Sequence, residues 1–289
     1  MDNLKGAALM VLAMLGFAVE DALIKLMAGA LPTWQIILVL GCGGSLVFAL
    51  LTVLRGQKLL DRRFLTVPIL IRNLSEMLGI VGFVTALSLI PLATASAILQ
   101  AAPLLVTLGA ALFLGEPVGW KRWSAILVGF AGVMLILRPG LDGFDANALF
   151  AVMGVVGLAA RDVAVRRVPA EISSVQLSYL GFLAALPAAA ILAAVTDLPY
   201  VAPPPWLWAA LLATVGLGVF AYYCIVAASR IGEVAFVTPF RYSRMVFALA
   251  IGMVLFAERP DTLMMLGTTL IIASGLFTLW RERKHRRSA

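Results

Sequence analysis

Of the 289 residues, 62% are hydrophobic and only 13% are charged, and the mean hydropathy is +1.03. A soluble domain averages roughly 45–50% apolar and about 25% charged residues, so this composition excludes a water-facing surface and fits lipid as the solvent. The net charge of +7 does not indicate nucleic acid. The basic residues sit between apolar runs and in the tail Arg281-Glu282-Arg283-Lys284-His285-Arg286-Arg287, with no basic stripe interleaved with aromatics.

A membrane-crossing helix needs about 20 apolar residues. The first such run covers 4–26, after Met1-Asp2-Asn3-Leu4-Lys5. It is too long for a signal-peptide core and reads as a retained first helix. Leu31-Pro32-Thr33 then opens a run over 34–54, followed by runs over 66–89, 92–114 (after Ile90-Pro91) and 121–138 (after Gly115-Glu116-Pro117). Arg138-Pro139-Gly140 leads into 145–165, then 175–195, then 206–228 after Pro203-Pro204-Pro205, then 234–256, and 262–280 after Glu258-Arg259-Pro260. No run alternates with period two, which excludes a membrane β-barrel. The expected fold is all-α and polytopic, with ten transmembrane helices.

Loop charges set the orientation. With a cytoplasmic N-terminus the inside segments hold Lys5, Arg55, Lys58, Arg62, Arg63, Lys121, Arg122, Arg166, Arg167, Arg230 and the tail. The outside loops hold at most Lys25, Arg138 and Arg259, so both termini are expected inside a bacterial inner membrane.

The two sets of five spans also resemble each other. Gly16, Asp21 and Lys25 align with Gly157, Asp162 and Arg166, and Leu114-Gly115-Glu116-Pro117 aligns with Phe256-Ala257-Glu258-Arg259-Pro260. Beyond a one-residue insertion, Gly132 meets Gly275 and Arg138 meets Arg281. Five crossings is an odd number, so the second copy must enter the membrane upside down. Inverted repeats of this kind are a transporter architecture with a site near the midplane. The expected domains are a first repeat over 1–140, a second over 141–281, and a basic cytoplasmic tail over 282–289.

The chain therefore resembles the drug/metabolite transporter superfamily, in particular proteins with two EamA domains. The resemblance spans nearly the whole length. It rests on the duplicated plan, on Arg72 opening the third span, and on Ala93-Thr94-Ala95-Ser96-Ala97 leading through Pro103 to Leu114-Gly115-Glu116. The second copy repeats this as Gly232-Glu233-Val234-Ala235 through Phe256-Ala257-Glu258. The resemblance implies a carrier for amino acids, drugs, or metabolites such as riboflavin or S-adenosylmethionine. The segment Pro239-Phe240-Arg241-Tyr242-Ser243-Arg244 departs from the family's usually apolar ninth span.

Charges inside spans are the candidate site residues, since each costs roughly 2.5–3.5 kcal/mol at the bilayer centre on insertion scales. Asp21 with Lys25, and Asp162 with Arg166, are i,i+4 pairs. Each either neutralises itself locally or offers its carboxylate to a cavity. Arg72 and Glu76 repeat that spacing on span three, as a stabilising pair or as part of the site. Arg241 and Arg244, i,i+3 near the midplane of span nine, are expected to share a face and to need acidic partners, with Glu20, Glu76 and Asp162 as candidates, or an anionic ligand. Tyr242, Gln100, Glu76 and Tyr223 join them as candidate substrate contacts. Tyr222 and Trp34 are further stacking candidates, with an interfacial anchor as the alternative for Trp34. Glu20 is the first choice for proton coupling, followed by Glu76, Asp21 and Asp162. Pro103 and Pro239 are candidate hinges.

Gly41-Cys42-Gly43-Gly44-Ser45 lacks the lysine of a phosphate loop and reads as close helix packing, like Gly79 with Gly82. Cys42 and Cys224 lie deep in apolar runs, and the single histidine, His285, is on the tail. No metal site, cofactor or catalytic cluster is expected, and no enzymatic activity. The expected function is secondary transport of a small zwitterionic or anionic organic metabolite, aromatic or not, by alternating access. Protons and membrane lipid are the other expected partners. The alternatives are a membrane enzyme acting on lipid-linked substrates and a non-transporting receptor.

Overall fold

A computed structural model describes residues 2–288 apart from 117–118, 142 and 232–233. Pro117, the Gly232-Glu233 motif, and the side chains of Arg230 and of the tail from 282 onward lie outside the described residues. All regular structure among the described residues is helical. That is the expected response of a backbone in lipid, where each segment must satisfy its own N–H and C=O groups.

In chain order the helices are α1 (Asn3–Ala28), α2 (Thr33–Leu54), α3 (Val67–Leu89), α4 (Leu92–Leu99), α5 (Ala102–Leu114) and α6 (Trp120–Leu137). They continue as α7 (Ala148–Val165), α8 (Ser174–Thr196), α9 (Pro205–Ile231), α10 (Val234–Val237), α11 (Ser243–Leu255) and α12 (Thr262–Ser288). Their ends have local causes. Pro32 precedes α2, and α5 stops at Gly115, which adopts a left-handed φ of 68°. A capping box opens α8: the Ser173 hydroxyl accepts from the Gln176 N–H, and Gln176 Oε1 accepts from the Ser173 N–H. In the loop before α3 the Asp61 carboxylate caps a short 3-10 turn, Arg62–Leu65.

Nine of the expected spans are long and apolar enough to cross a membrane among the described residues, with α4 and α5 forming one of them. The tenth, expected over 234–256, is present in pieces: α10, a 3-10 segment over Thr238–Tyr242, and α11. Proline at the start of that segment removes a helical N–H, and the winding tightens there.

Two compact units result. The first comprises Met1–Ala22, Ile90–Ala148 and Phe220–Ala289, and the second Leu23–Leu89 and Leu149–Val219, so each draws on both sequence halves. Small residues set the packing in both, because close backbone approach replaces hydrophobic drive between helices in lipid. In the first unit α6 crosses α12 at Gly132 and Gly267, where a Cβ on either would come within 2.6 Å of the other's carbonyl oxygen. There α1 meets α9 at Gly16 and Ala221, beside an apolar cluster of Met10, Met14, Cys224, Ala228 and Val237. In the second unit Phe48 of α2 stacks on Phe182 of α8 with ring centroids 5.5 Å apart, and α3 meets α7 at Gly79, Gly82, Gly154 and Gly157. The first span thus packs on the eighth as the sixth packs on the third, a pairing unchanged when the two sets of five spans are exchanged.

Candidate functional site

Both broken spans lie in the first unit, and their breaks correspond. The fourth span stops being α-helical at Gln100 and Ala101, with Pro103 in the first turn of α5. The ninth span is interrupted over Thr238–Tyr242, with Pro239 in the first turn of the 3-10 segment. The offset that places Glu116 on Glu258 also places Gln100 on Tyr242. These two positions touch: Gln100 Nε2 donates to the Tyr242 carbonyl oxygen at 3.2 Å, and both residues are buried. A side chain at one break thereby holds the backbone at the other. The Tyr242 ring reaches α12 opposite Gly275, where any side chain would overlap it, and its hydroxyl has no hydrogen-bond partner among the described residues.

Two residues beyond this contact, Arg244 grips Asp21 on α1. Arg244 Nη2 lies 2.8 Å from Oδ1 and 2.7 Å from Oδ2, and Nε lies 3.1 Å from Oδ2. Phe17, one turn before Asp21 on the same face, puts its ring 5.1 Å from the guanidinium carbon. The side chains are only 16% and 4% exposed. The expected acid for this arginine was Glu20, Glu76 or Asp162; the acid found is Asp21, the immediate neighbour of Glu20 on α1. Glu20 is half-buried, and its side chain makes neither a hydrogen bond nor an ion pair among the described residues. Arg241 does not share Arg244's surroundings: it is exposed, and the change from 3-10 to α winding falls between them. Tyr223 is 68% exposed and stands apart from the cluster.

The second unit holds a chain of four charges. Arg72 Nη2 is 2.9 Å from Glu76 Oε2, Glu76 Oε1 is 3.1 Å from Arg161 Nη1, and Arg161 Nη2 is 2.8 Å from Asp162 Oδ1. The Arg72–Glu76 pair is the one its spacing suggested. Asp162, expected with Arg166, engages its neighbour Arg161. The close α3–α7 approach at Gly79 and Gly157, one turn from Glu76 and Arg161, lets the acid of one helix reach the arginine of the other. Gly181 on α8 leaves room for Arg72; a Cβ there would sit 2.8 Å from its Nη2. The indole of Trp34 donates to the Leu198 carbonyl.

Three features were not read from the sequence. Arg161 was overlooked, although its place inside span six beside Asp162 was a visible signal. Glu258 accepts from the N–H groups of Leu92 and Ala93 at 2.5 and 2.9 Å and so caps α4 across 166 residues of chain. Arg138 pairs with Asp261, and these residues with Asp145 and Glu258 line a cavity of about 310 Å³ in the first unit. The Arg138 hydrogen bond, aided by the Met264 N–H, holds the Asp261 carboxyl below its ordinary range.

An all-helical chain with about ten crossings, a duplicated plan, and two broken spans meeting at corresponding positions defines a polytopic membrane carrier. Its family is the EamA-like transporter family, to which the chain belongs; the match covers residues 4–138 and 146–280. The chain is similar to an S-adenosylmethionine uptake transporter of Rickettsia bellii, with 25% identity over 96% of this chain and 94% of the relative. It is also similar to a riboflavin transporter of Vibrio cholerae, with 29% identity over 75% of this chain and 73% of the relative. The pseudopaline exporter CntI of Pseudomonas aeruginosa is 30% identical over 95% of this chain and 96% of its own length. One solved crystal structure shares the fold at a TM-score of 0.60 and 22% identity, covering 96% of this chain and 98% of the other.

Proposed function

We propose that this protein is a secondary transporter that carries a small zwitterionic or anionic organic metabolite across a bacterial inner membrane by alternating access, with both termini cytoplasmic. The observation that carries the reading is the pair of broken spans joined through Gln100 and Tyr242. Interrupted helices at corresponding positions of two repeats are the usual pointer to a carrier's binding site, because backbone irregularity is tolerated at membrane depth only inside protein or beside a water-filled cavity. The buried Asp21–Arg244 pair fixes α1 to the ninth span next to the break, with Arg241 and Tyr242 just before Arg244 in the chain and Gln100 on the Tyr242 carbonyl. Pro103 and Pro239 act as the hinges. Glu20 is the proton site, since Glu76, Asp21 and Asp162 each already hold an arginine. S-adenosylmethionine, riboflavin and pseudopaline, the compounds in the relatives' names, are the first to try.

The test is flux into proteoliposomes, with these compounds and amino acids as a labelled panel and an imposed pH gradient. Saturable, trans-stimulated uptake of at least one compound is expected, reduced tenfold or more by Arg244→Ala. Glu20→Gln is expected to flatten the pH dependence of flux while leaving exchange intact. Binding without flux across the whole panel would replace the carrier reading with a receptor.

A further inference from the structure

Asp21 and Asp162 occupy equivalent places in the two repeats, and each lies on an arginine, but the two pairs differ in a way that bears on ligand recognition. Asp21 and Arg244 are sealed, at 4% and 16% side-chain exposure. Asp162 and Arg161 are open, at 37% and 26%. Charged groups in a span favour protein or water over lipid, given the cost of the alternative, which makes this exposed pair a candidate for a water-facing surface. The residue equivalent to Arg161 in the first repeat is Glu20, so duplication alone does not supply an arginine here.

We infer that Arg161 is the anion-recognition residue of the second unit, aimed by Glu76 and covered in the empty carrier by Asp162, and that the group it takes is a carboxylate of the cargo; this rests on the transport reading above. The geometry divides the guanidinium into two edges. Nη1 is tied to Glu76 at 3.1 Å on α3, and Glu76 is itself anchored by Arg72 at 2.9 Å, both of them buried. That edge is fixed from α3. The other edge, Nε and Nη2, meets Asp162 Oδ1 at 2.9 and 2.8 Å. A guanidinium presents this edge as a planar fork that matches a carboxylate bidentately. Asp162 uses a single oxygen there and comes from the adjacent position on the same helix, so it fills the edge less well than a free carboxylate would. Being more than a third exposed, Asp162 can turn to water when displaced, at little desolvation cost. Asp21, at 4%, has no such exit. Arg161 thus has one permanent counter-ion, and one that a ligand can replace without leaving a buried charge unpaired.

The experiment uses the full chain in phosphatidylcholine nanodiscs, which excludes anionic headgroups, with S-adenosylmethionine and its decarboxylated analogue as probes. The native protein is expected to bind the carboxylated probe at least tenfold more tightly. Asp162→Asn should strengthen that binding severalfold and leave the decarboxylated probe within twofold, because a competitor has been removed. Arg161→Gln should abolish the preference. Glu76→Gln should weaken the carboxylated probe alone, whereas general damage to the fold would weaken both. Preference that survives Arg161→Gln, or equal weakening of both probes in Asp162→Asn, overturns the inference.

If neither probe binds, the choice of cargo above fails and a second measurement decides this inference. Phenylglyoxal modification of Arg161 is then followed by mass spectrometry with and without benzoate. Faster modification in Asp162→Asn, slowed by benzoate, supports the assignment; equal rates with no protection refute it.

Discussion

Asp21 and Arg244 stabilise the first unit only as a pair. Removing one partner of a buried ion pair leaves a charge without compensation and costs about 3–5 kcal/mol, while replacing both by apolar groups of similar size is often neutral. Asp21→Asn should therefore lower thermal stability in detergent sharply, and Asp21→Leu combined with Arg244→Met should recover most of the loss while abolishing flux. A single mutant that melts with the native protein would show that the pair carries little weight. Asp61 lies at the other extreme of exposure. The Arg63 side chain, followed by the Arg63 N–H, pulls its carboxyl from 3.8 down to about 2. A depressed folded value stabilises the cap above the unfolded value and loses it as the pH falls through the folded one. Hydrogen exchange at the Arg63 amide should stay protected above about pH 4 and lose protection between there and about pH 2; in Asp61→Asn the protection should not respond to pH in that window. Both partnerships involve charges that the sequence displayed, but only Arg63 lay near enough in the chain to be read as a neighbour.

At the level of elements, the breaks in spans four and nine were anticipated through Pro103 and Pro239, and the irregular backbone falls just before the first proline, at Gln100–Ala101, and around the second, over Thr238–Tyr242. A proline signals that an N–H is missing; what steadies the backbone where the winding changes depends on what packs against it. Here that is a side chain from the other repeat, 142 residues away. The tyrosine at this junction makes a second element-scale prediction. Gly275→Ala should drive its methyl into the Tyr242 hydroxyl and destabilise α12 against the ninth span by about 1–3 kcal/mol. Tyr242→Phe should relieve that loss in the double mutant and be nearly neutral alone, because the buried hydroxyl lacks a partner among the described residues. Additive losses in a thermal-denaturation double-mutant cycle would mean that the two residues do not meet.

For the whole molecule, the proposed orientation makes a prediction independent of cargo. With Cys42 and Cys224 replaced by serine, single cysteines at Asp145 and Tyr200 should react with a membrane-impermeant maleimide in intact cells. A cysteine at Gln57 should react only after permeabilisation. The reverse pattern would invert the topology and exchange the inner and outer faces of both repeats. The interleaving of the two sequence halves in each compact unit belongs to this scale as well. Duplicated five-span copies show in the alignment of Asp21 with Asp162 and Glu116 with Glu258, but an alignment does not reveal which copy packs with which. Glycine contacts decide that: Gly132 with Gly267, and Gly79 with Gly157, bring together helices from opposite copies.

The sequence by itself determined the solvent, the helical class, the span count to within one interruption, and the duplication. Each of these follows from composition and spacing along the chain, and lipid admits few other solutions for a backbone. It also marked most of the charges that had to be buried. Only the tertiary structure decided how those charges are partnered. Arg244 took Asp21 rather than the adjacent Glu20, with the Phe17 ring against the guanidinium, and Arg161 reached Glu76 because glycines let α3 and α7 close to backbone contact. Such choices depend on distances of a few ångströms between helices far apart in sequence, and no periodicity encodes them.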